Sequence, residues 1–209
     1  DSEMDDEGTL GQLARFRAAV EALAAAGIKP SIVHTANSGA TIRLPQTHLD
    51  LVRPGAAVYG VDPGGGLAES FGLRPALSWR SAVTMVKRLS AGERISYGGR
   101  YALRQDATIA TVPVGYDDGY PRHAGEKAEV LIGGRRHPVA GTITMDQILV
   151  DCGDAPVVLG DEVVLIGVQG AERISVEELA ERAGTIGRQI TTGIGERVPR
   201  EYTGQGSDR

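Results

Sequence analysis

Two stretches of the chain carry residues that could do chemistry: Ile95-Ser96-Tyr97-Gly98-Gly99-Arg100-Tyr101 and Val114-Gly115-Tyr116-Asp117-Asp118-Gly119-Tyr120. Each sets a tyrosine beside glycine. Glycine lets the backbone turn tightly, which pushes the phenol outward and leaves its hydroxyl free to act. The plainer reading is that two β-turns carry an amphipathic residue that often sits at strand ends. A second constellation lies nearer the start. Thr35-Ala36-Asn37-Ser38-Gly39-Ala40 leads from a strand-like run into a short helix, and such a loop presents N–H groups and hydroxyls suited to a phosphate. Helix capping alone would account for the same residues. Arg53-Pro54-Gly55-Ala56-Ala57 closes a second strand-like run, so Arg53 stands at a strand's C-terminal end, where α/β barrels put their chemistry. The alternative is an exposed arginine paired to a carboxylate.

Composition narrows the classes of function. A chain of 209 residues with 41% hydrophobic content can bury a sizeable core. The net charge of −5, with no basic run, argues against a nucleic-acid surface and for small-molecule or protein partners. Cys152 is the single cysteine, which excludes an internal disulfide and a cysteine-cluster metal site and fits a reducing cytoplasm. His34, His48, His123 and His137 lack metal-ligand spacing. No apolar run reaches membrane-spanning length and no signal-peptide pattern occurs. The start at Asp1-Ser2-Glu3 suggests a processed or incomplete piece of a longer protein.

The elements that must position these residues fall into two patterns. Over the first sixty or so residues helix and strand alternate, the grammar of a parallel βα layer. The spacing predicts a helix from Thr9 to Gly27, opened by a Thr9/Gln12 capping box and carrying Leu10, Leu13, Phe16, Val20 and Leu23 on one face. Strands are expected at Ser31–His34 and Leu49–Val52. Two such units cannot close a barrel. The stretch from Val61 to Pro75, with Pro63, Gly64, Gly65, Gly66 and Gly72, reads as a loop to a domain boundary. Strands dominate beyond it: Leu77–Leu89, Thr108–Val114, a Glu129–Ile132/Arg135–Val139 hairpin turning at Gly133-Gly134, Ile143–Val150, Glu162–Ile166 and a terminal run from Arg197 to Tyr202. One helix interrupts them, capped by Ser175 with Glu178, lined by Val176, Leu179, Ala180 and Ala183 and closed by Gly184. The residues from Gly204 to Arg209 are expected to fray. The expected organisation is thus residues 1–72 as C-terminal βα units of an incomplete barrel, and 73–209 as a mostly antiparallel, barrel-like β domain.

These stretches resemble the alanine racemase family. The resemblance rests on His34-Thr35-Ala36-Asn37-Ser38-Gly39-Ala40, Val52-Arg53-Pro54-Gly55-Ala56-Ala57-Val58-Tyr59-Gly60, Ile95-Ser96-Tyr97-Gly98, Pro113-Val114-Gly115-Tyr116-Asp117-Asp118-Gly119 and Gly141-Thr142-Ile143-Thr144-Met145-Asp146-Gln147, in family order and at family spacing. It implies the C-terminal half of a fold-type III enzyme that uses pyridoxal 5′-phosphate, with a (β/α)8 barrel for the cofactor and a C-terminal β domain. The activity implied is interconversion of L- and D-alanine by two bases, supplying D-alanine for peptidoglycan, in a head-to-tail homodimer whose sites draw on both subunits. A racemase needs two bases because the α-proton leaves one face of a planar carbanion and returns on the other. A tyrosine with a pKa of ~10 in water needs positive charge or donated hydrogen bonds to serve as one of them.

Residue by residue, the resemblance makes Tyr97 one of the bases, serving the partner subunit's site. It sets Arg53 against the pyridine nitrogen, with His34 in support, and places Asn37, Ser38, Gly55 and Ala56 in the cofactor's cradle. Met145 would help hold the substrate carboxylate through its backbone. Tyr116 and Arg122 would line the channel by which substrate enters. Two departures stand out. The family's cofactor lysine sits in a Lys-Ala-Asn-Ala-Tyr-Gly type motif that this sequence lacks, Lys29, Lys87 and Lys127 lying in other contexts. The implied partner is therefore an N-terminal segment carrying that lysine. Arg188 stands where the family has a tyrosine reaching the phosphate; a guanidinium can bind phosphate bidentately but cannot pack as a phenol does. A non-catalytic homologue acting as a binding or structural protein, or a racemase of another amino acid such as serine, are the alternatives.

Overall fold

The computed structural model describes residues 5–204, so the Asp1-Ser2-Glu3 start and nearly all of the expected frayed tail lie outside the described residues. The chain divides into two compact units, Asp1–Leu77 and Ser78–Arg209.

The first unit opens with helix α1, Asp6–Ala25. Its cap is Asp5, not Thr9: the Asp5 carboxylate accepts from Gly8 N at 2.8 Å, and Thr9 lies buried inside the helix with its hydroxyl donating to the Asp5 carbonyl at 2.8 Å. Aspartate is the better cap because its charge also meets the helix's positive end. Of the expected apolar stripe only Leu13 is buried, while Leu10 and Leu23 are exposed. The two expected strands reduce to one parallel bridge, His34 to Leu51, flanked by bonds from Asp50 N to the Val33 carbonyl at 3.1 Å and from Arg53 N to the Ala36 carbonyl at 2.9 Å. Parallel pairs hold best when flanked by further strands, and here each segment has only the other among the described residues. Helix α2, Ser38–Arg43, follows the first segment, and a short 3-10 turn, Ala56–Tyr59, follows the second. Within the expected 61–75 loop, Asp62 accepts from Gly66 N at 2.9 Å and Ala68 N at 3.0 Å and so starts the four-residue helix α3, Leu67–Ser70.

The second unit is antiparallel. Strands β1, Trp79–Ala82, and β2, Met85–Leu89, replace the single expected strand, because the chain changes partners at the buried Val83. A short hairpin follows, β3 at Arg94–Ile95 and β4 at Tyr101–Ala102, and then β5 at Ala107–Val112. The expected hairpin is present as β6, Glu129–Ile132, and β7, Arg135–Pro138. Strand β8 covers only Ile148–Asp151, because Thr144 and Gln147 close a turn in front of it: Thr144 Oγ1 donates to the Gln147 carbonyl at 2.9 Å and accepts from Gln147 N at 3.1 Å. Strand β9, Glu162–Gln169, and β10, Glu172–Ile174, complete the set.

The strands form three sheets: β1-β9-β6-β7 with β10 beside β9, then β2-β5-β8, and the β3-β4 hairpin. The expected barrel-like closure is not present among the described residues. Among the described residues, the bridge Val139 to Val150 is the pairing that the two larger sheets share. Helix α4, Val176–Ala183, has the expected Ser175 cap on Glu178 N at 3.1 Å. Arg136 on β7 anchors α4 by donating to Glu178 at 2.5 Å while also reaching Glu172 at 2.8 Å. A second helix, α5, Gly187–Gly193, was not legible in the sequence; it is rich in poor helix formers and is held by burial of Ile190. The terminal 197–202 run forms no strand, since Arg197 is drawn onto Asp117 and Asp118 instead.

Two buried polar groups generate predictions. Tyr120 is fully buried with its ring edge-on to Trp79 at 5.9 Å, and no group among the described residues meets its hydroxyl. Tyr120→Phe should therefore leave stability unchanged or raise it by up to about 1 kcal/mol in chemical denaturation, since removing an unmet hydroxyl costs nothing. His137 on β7 is also buried, with no group among the described residues meeting its Nε2. Burial, helped by Arg135, holds its imidazole below the ordinary histidine range. The folded chain thus keeps it neutral while the unfolded chain protonates near pH ~6.5, so its contribution to stability falls as pH drops through that value. Denaturation midpoints at pH 5 and 7.5 should differ less in His137→Leu than in the unmodified chain.

Candidate functional site

In the first unit the strand-to-helix loop and the second strand end come together. The Arg53 guanidinium donates to the Thr35 carbonyl at 3.2 Å, one residue beyond the exposed His34. Asn37 caps α2, its side-chain oxygen accepting from Ala40 N at 3.0 Å. The buried Ser38 hydroxyl accepts from Ala57 N at 3.3 Å, which ties the start of α2 to the Ala56 turn. A Cβ built on Gly55 would meet nothing within 4 Å, so open space faces that backbone. A cavity of about 320 Å³ lies between α1 and the 35–47 stretch, lined by Leu13, Phe16, Thr35, Asn37, Ala40 and Thr47. Its lining shares Asn37 with the expected cradle but not Ser38, Arg53, Gly55 or Ala56.

In the second unit the turns that carry Tyr97 and Tyr116 both dock on the Gly141–Gln147 loop, which itself carries Met145. Tyr97 sits at the tip of the β3-β4 hairpin and is 74% exposed. Tyr101, in the same motif, is engaged instead. Its hydroxyl donates to Asp151 at 2.8 Å, and burial together with that carboxylate pushes it up to about 12. The hairpin base rests on a small core of Leu103, Ala107 and Ile109. The Tyr116 turn docks on the loop through Tyr116 N to the Thr144 carbonyl at 3.0 Å and Asp117 N to the Met145 carbonyl at 2.9 Å. Gly115 permits this approach, because a Cβ there would lie 2.3 Å from Met145 backbone atoms. Met145 is exposed beside it.

The Tyr116 turn is clamped by Arg197, which the sequence did not link to it. Arg197 donates to Asp118 at 2.6 Å and to Asp117 at 2.8 Å, and Asp118 also accepts from Gly115 N at 2.8 Å. Burial alone would raise the Asp118 carboxyl, but the bonds from Arg197 and Gly115 outweigh it and hold the group below the ordinary carboxylate range. A separation of about eighty residues offers no local signal for such a clamp. Arg122 is exposed just after Pro121, and Arg188 is partly buried in the first turn of α5.

An α/β unit followed by an antiparallel β unit is a two-domain architecture, and both parts match known proteins in that order. Residues 1–63 match the family described as alanine racemase, N-terminal domain, and residues 76–202 that described as alanine racemase, C-terminal domain. The chain belongs to the alanine racemase family. It is 52% identical over 195 residues to the alanine racemase of Symbiobacterium thermophilum, covering 93% of this chain and 52% of that protein. With the Frankia casuarinae alanine racemase it shares 46% identity over 194 residues, covering 92% and 50%. Among solved structures it is similar to alanine racemase from Streptomyces lavendulae, at TM-score 0.92 and 41% identity over 97% of this chain and 54% of that one. The Bacillus anthracis enzyme with bound L-Ala-P is similar at TM-score 0.92 and 39% identity over 99% and 53%. The chain spans about half the length of the relatives it matches.

The contact at Gly115 yields a direct prediction. Gly115→Ala should force the Tyr116 turn off the Met145 loop and destabilise the chain by about 1–3 kcal/mol, as overpacking does. Chemical denaturation measures this; Gly55→Ala, facing open space, should change the midpoint little.

Proposed function

We propose that this chain supplies one half of an alanine racemase, contributing a proton-transferring phenol, substrate contacts and part of a cofactor cradle. The observation that carries this reading is the convergence of Tyr97, Tyr116 and Met145 on one loop, in a chain whose relatives are alanine racemases. Pyridoxal 5′-phosphate fits the donors of the first unit: a guanidinium at Arg53 suits a ring nitrogen, and the buried Ser38 hydroxyl beside open space at Gly55 suits a phosphate. His34, Asn37 and Ala56 would complete that cradle. When bound, the cofactor withdraws electrons from the substrate and acidifies its Cα hydrogen.

The chain's own residues would then act as follows. Tyr97 Oη takes or returns the Cα proton from one face, and its exposure at a hairpin tip leaves it able to serve a site formed with a second subunit. The Met145 backbone holds the substrate carboxylate. Tyr116 and Arg122 line the approach. Arg53 would hold the ring nitrogen through its guanidinium N–H groups. The opposite face needs a second base, and we assign it to a lysine in a segment beyond this chain. A head-to-tail homodimer, a completed (β/α)8 barrel in the cytoplasm and delivery of D-alanine to peptidoglycan follow from the same reading. No helix among the described residues is long and apolar enough to cross a membrane.

The test is complementation. The chain alone should not racemise L-alanine. Co-expressed with the lysine-bearing N-terminal segment of the Symbiobacterium thermophilum relative, it should form D-alanine, and Tyr97→Phe should lower that rate by about 10²-fold or more. Turnover by the isolated chain, or an unimpaired Tyr97→Phe complex, would overturn the assignment.

A further inference from the structure

The residue before Tyr97 holds a backbone conformation that its side chain disfavours. Ser96 has φ 65 and ψ 176, a region that is essentially glycine's alone. Among the described residues Leu49 is the other non-glycine residue with positive φ. Such an outlier persists only where its surroundings over-determine it. Here they do. Ser96 Oγ accepts from Thr142 N at 2.9 Å and donates to the Thr142 carbonyl at 3.0 Å, so one hydroxyl pairs both backbone groups of a residue on another loop. The loops touch at Gly141, where an added Cβ would come within 2.6 Å of Ser96 Cβ; Gly141 itself has φ 84. The Ser96 carbonyl accepts from Gly99 N at 3.1 Å, closing the turn that carries Tyr97.

Glycine at position 96 would relieve the strain but would forfeit both bonds. The strain is therefore tied to the hydroxyl. Beyond the bond the hydroxyl makes, the Gly141–Gln147 loop continues through Thr144 and Met145, whose carbonyls receive the Tyr116 turn.

We infer that Ser96 is a positioning residue: its hydroxyl locks the Tyr97 turn onto the Gly141–Gln147 loop, so that the Tyr97 phenol, the Met145 backbone and the Tyr116 turn move as one body. What the phenol does rests on the racemase reading; the lock itself does not. Without the lock, the hairpin tip at Gly98 and Gly99 is steadied by its own short ladder, Arg94 to Ala102 and Ile95 to Tyr101, and by the bond that Arg94 Nε donates to the Gly99 carbonyl at 2.7 Å.

The experiment is NMR on the full chain with ring-labelled tyrosine. The six tyrosines give separate signals, and Tyr97→Phe assigns the one of interest. Ser96→Ala removes the hydroxyl and keeps the strain, whereas Ser96→Gly removes both. Both variants should shift and mobilise the Tyr97 signal while the other tyrosine signals stay in place, and Ser96→Gly should melt no lower than Ser96→Ala. In the complemented enzyme each should lower kcat by about tenfold while KM changes by less than about twofold, as a misplaced catalytic group does. A folded Ser96→Gly chain with an unmoved Tyr97 signal would overturn the inference, and so would failure of both variants to fold, which would make the bond purely structural. Should the unmodified complex not racemise, the functional reading fails while the NMR result still decides the lock.

Discussion

The hydrogen-bonded loop from Gly141 to Gln147 is the constraint on which the rest of the second unit's site depends. It receives Ser96 through two bonds at Thr142, the Tyr116 turn through Thr144 and Met145, and it closes on itself through Thr144 and Gln147. Two bare backbones make the approach feasible, Gly115 on one side and Gly141 on the other. Three segments far apart in sequence thereby become one surface.

Behind that surface the sheets supply rigidity of two kinds. Apolar strands fill the interior: Val163, Val164 and Leu165 on β9 and Val130, Leu131 and Ile132 on β6 are fully buried. Across the edge of the same sheet, Arg136 and Arg182 share Glu129 and Glu178, which fastens α4 over the hairpin. These ions are only partly exposed, so the cluster is screened less than an isolated surface pair would be. Burial raises the Glu129 carboxyl, yet the two guanidinium groups outweigh it and hold it below its ordinary range.

The first unit is built differently. Its parallel segments meet at one bridge, and Ile28, Ile32, Leu49, Leu51 and Val58 remain exposed. A βα layer ordinarily buries both faces of its strands. Asn37 and Ser38 nevertheless hold their places through hydrogen bonds, from Ala40 N to Asn37 and from Ala57 N to Ser38, which need no neighbouring strand.

What the sequence determined by itself was whatever depends on short-range pattern. The Gly133-Gly134 hairpin, the Ser175 cap on α4 and the glycine-tyrosine turns were legible because turn and cap chemistry is local. So was the family, since its motifs are contiguous runs. What tertiary structure alone decided was partnership. The strand expected over Leu77–Leu89 splits because Val83 lies where the chain leaves one sheet for another. Helix α5 forms against its own propensities because Ile190 is buried, and the terminal run goes to Asp117 and Asp118 rather than to a ladder. The clamp by Arg197 and the lock at Ser96 join residues dozens of positions apart, and the positive φ of Ser96 falls on a residue type that gives no warning of it. Local propensity sets which turns and helices can form, while long-range hydrogen bonds and close contacts choose where their side chains end up.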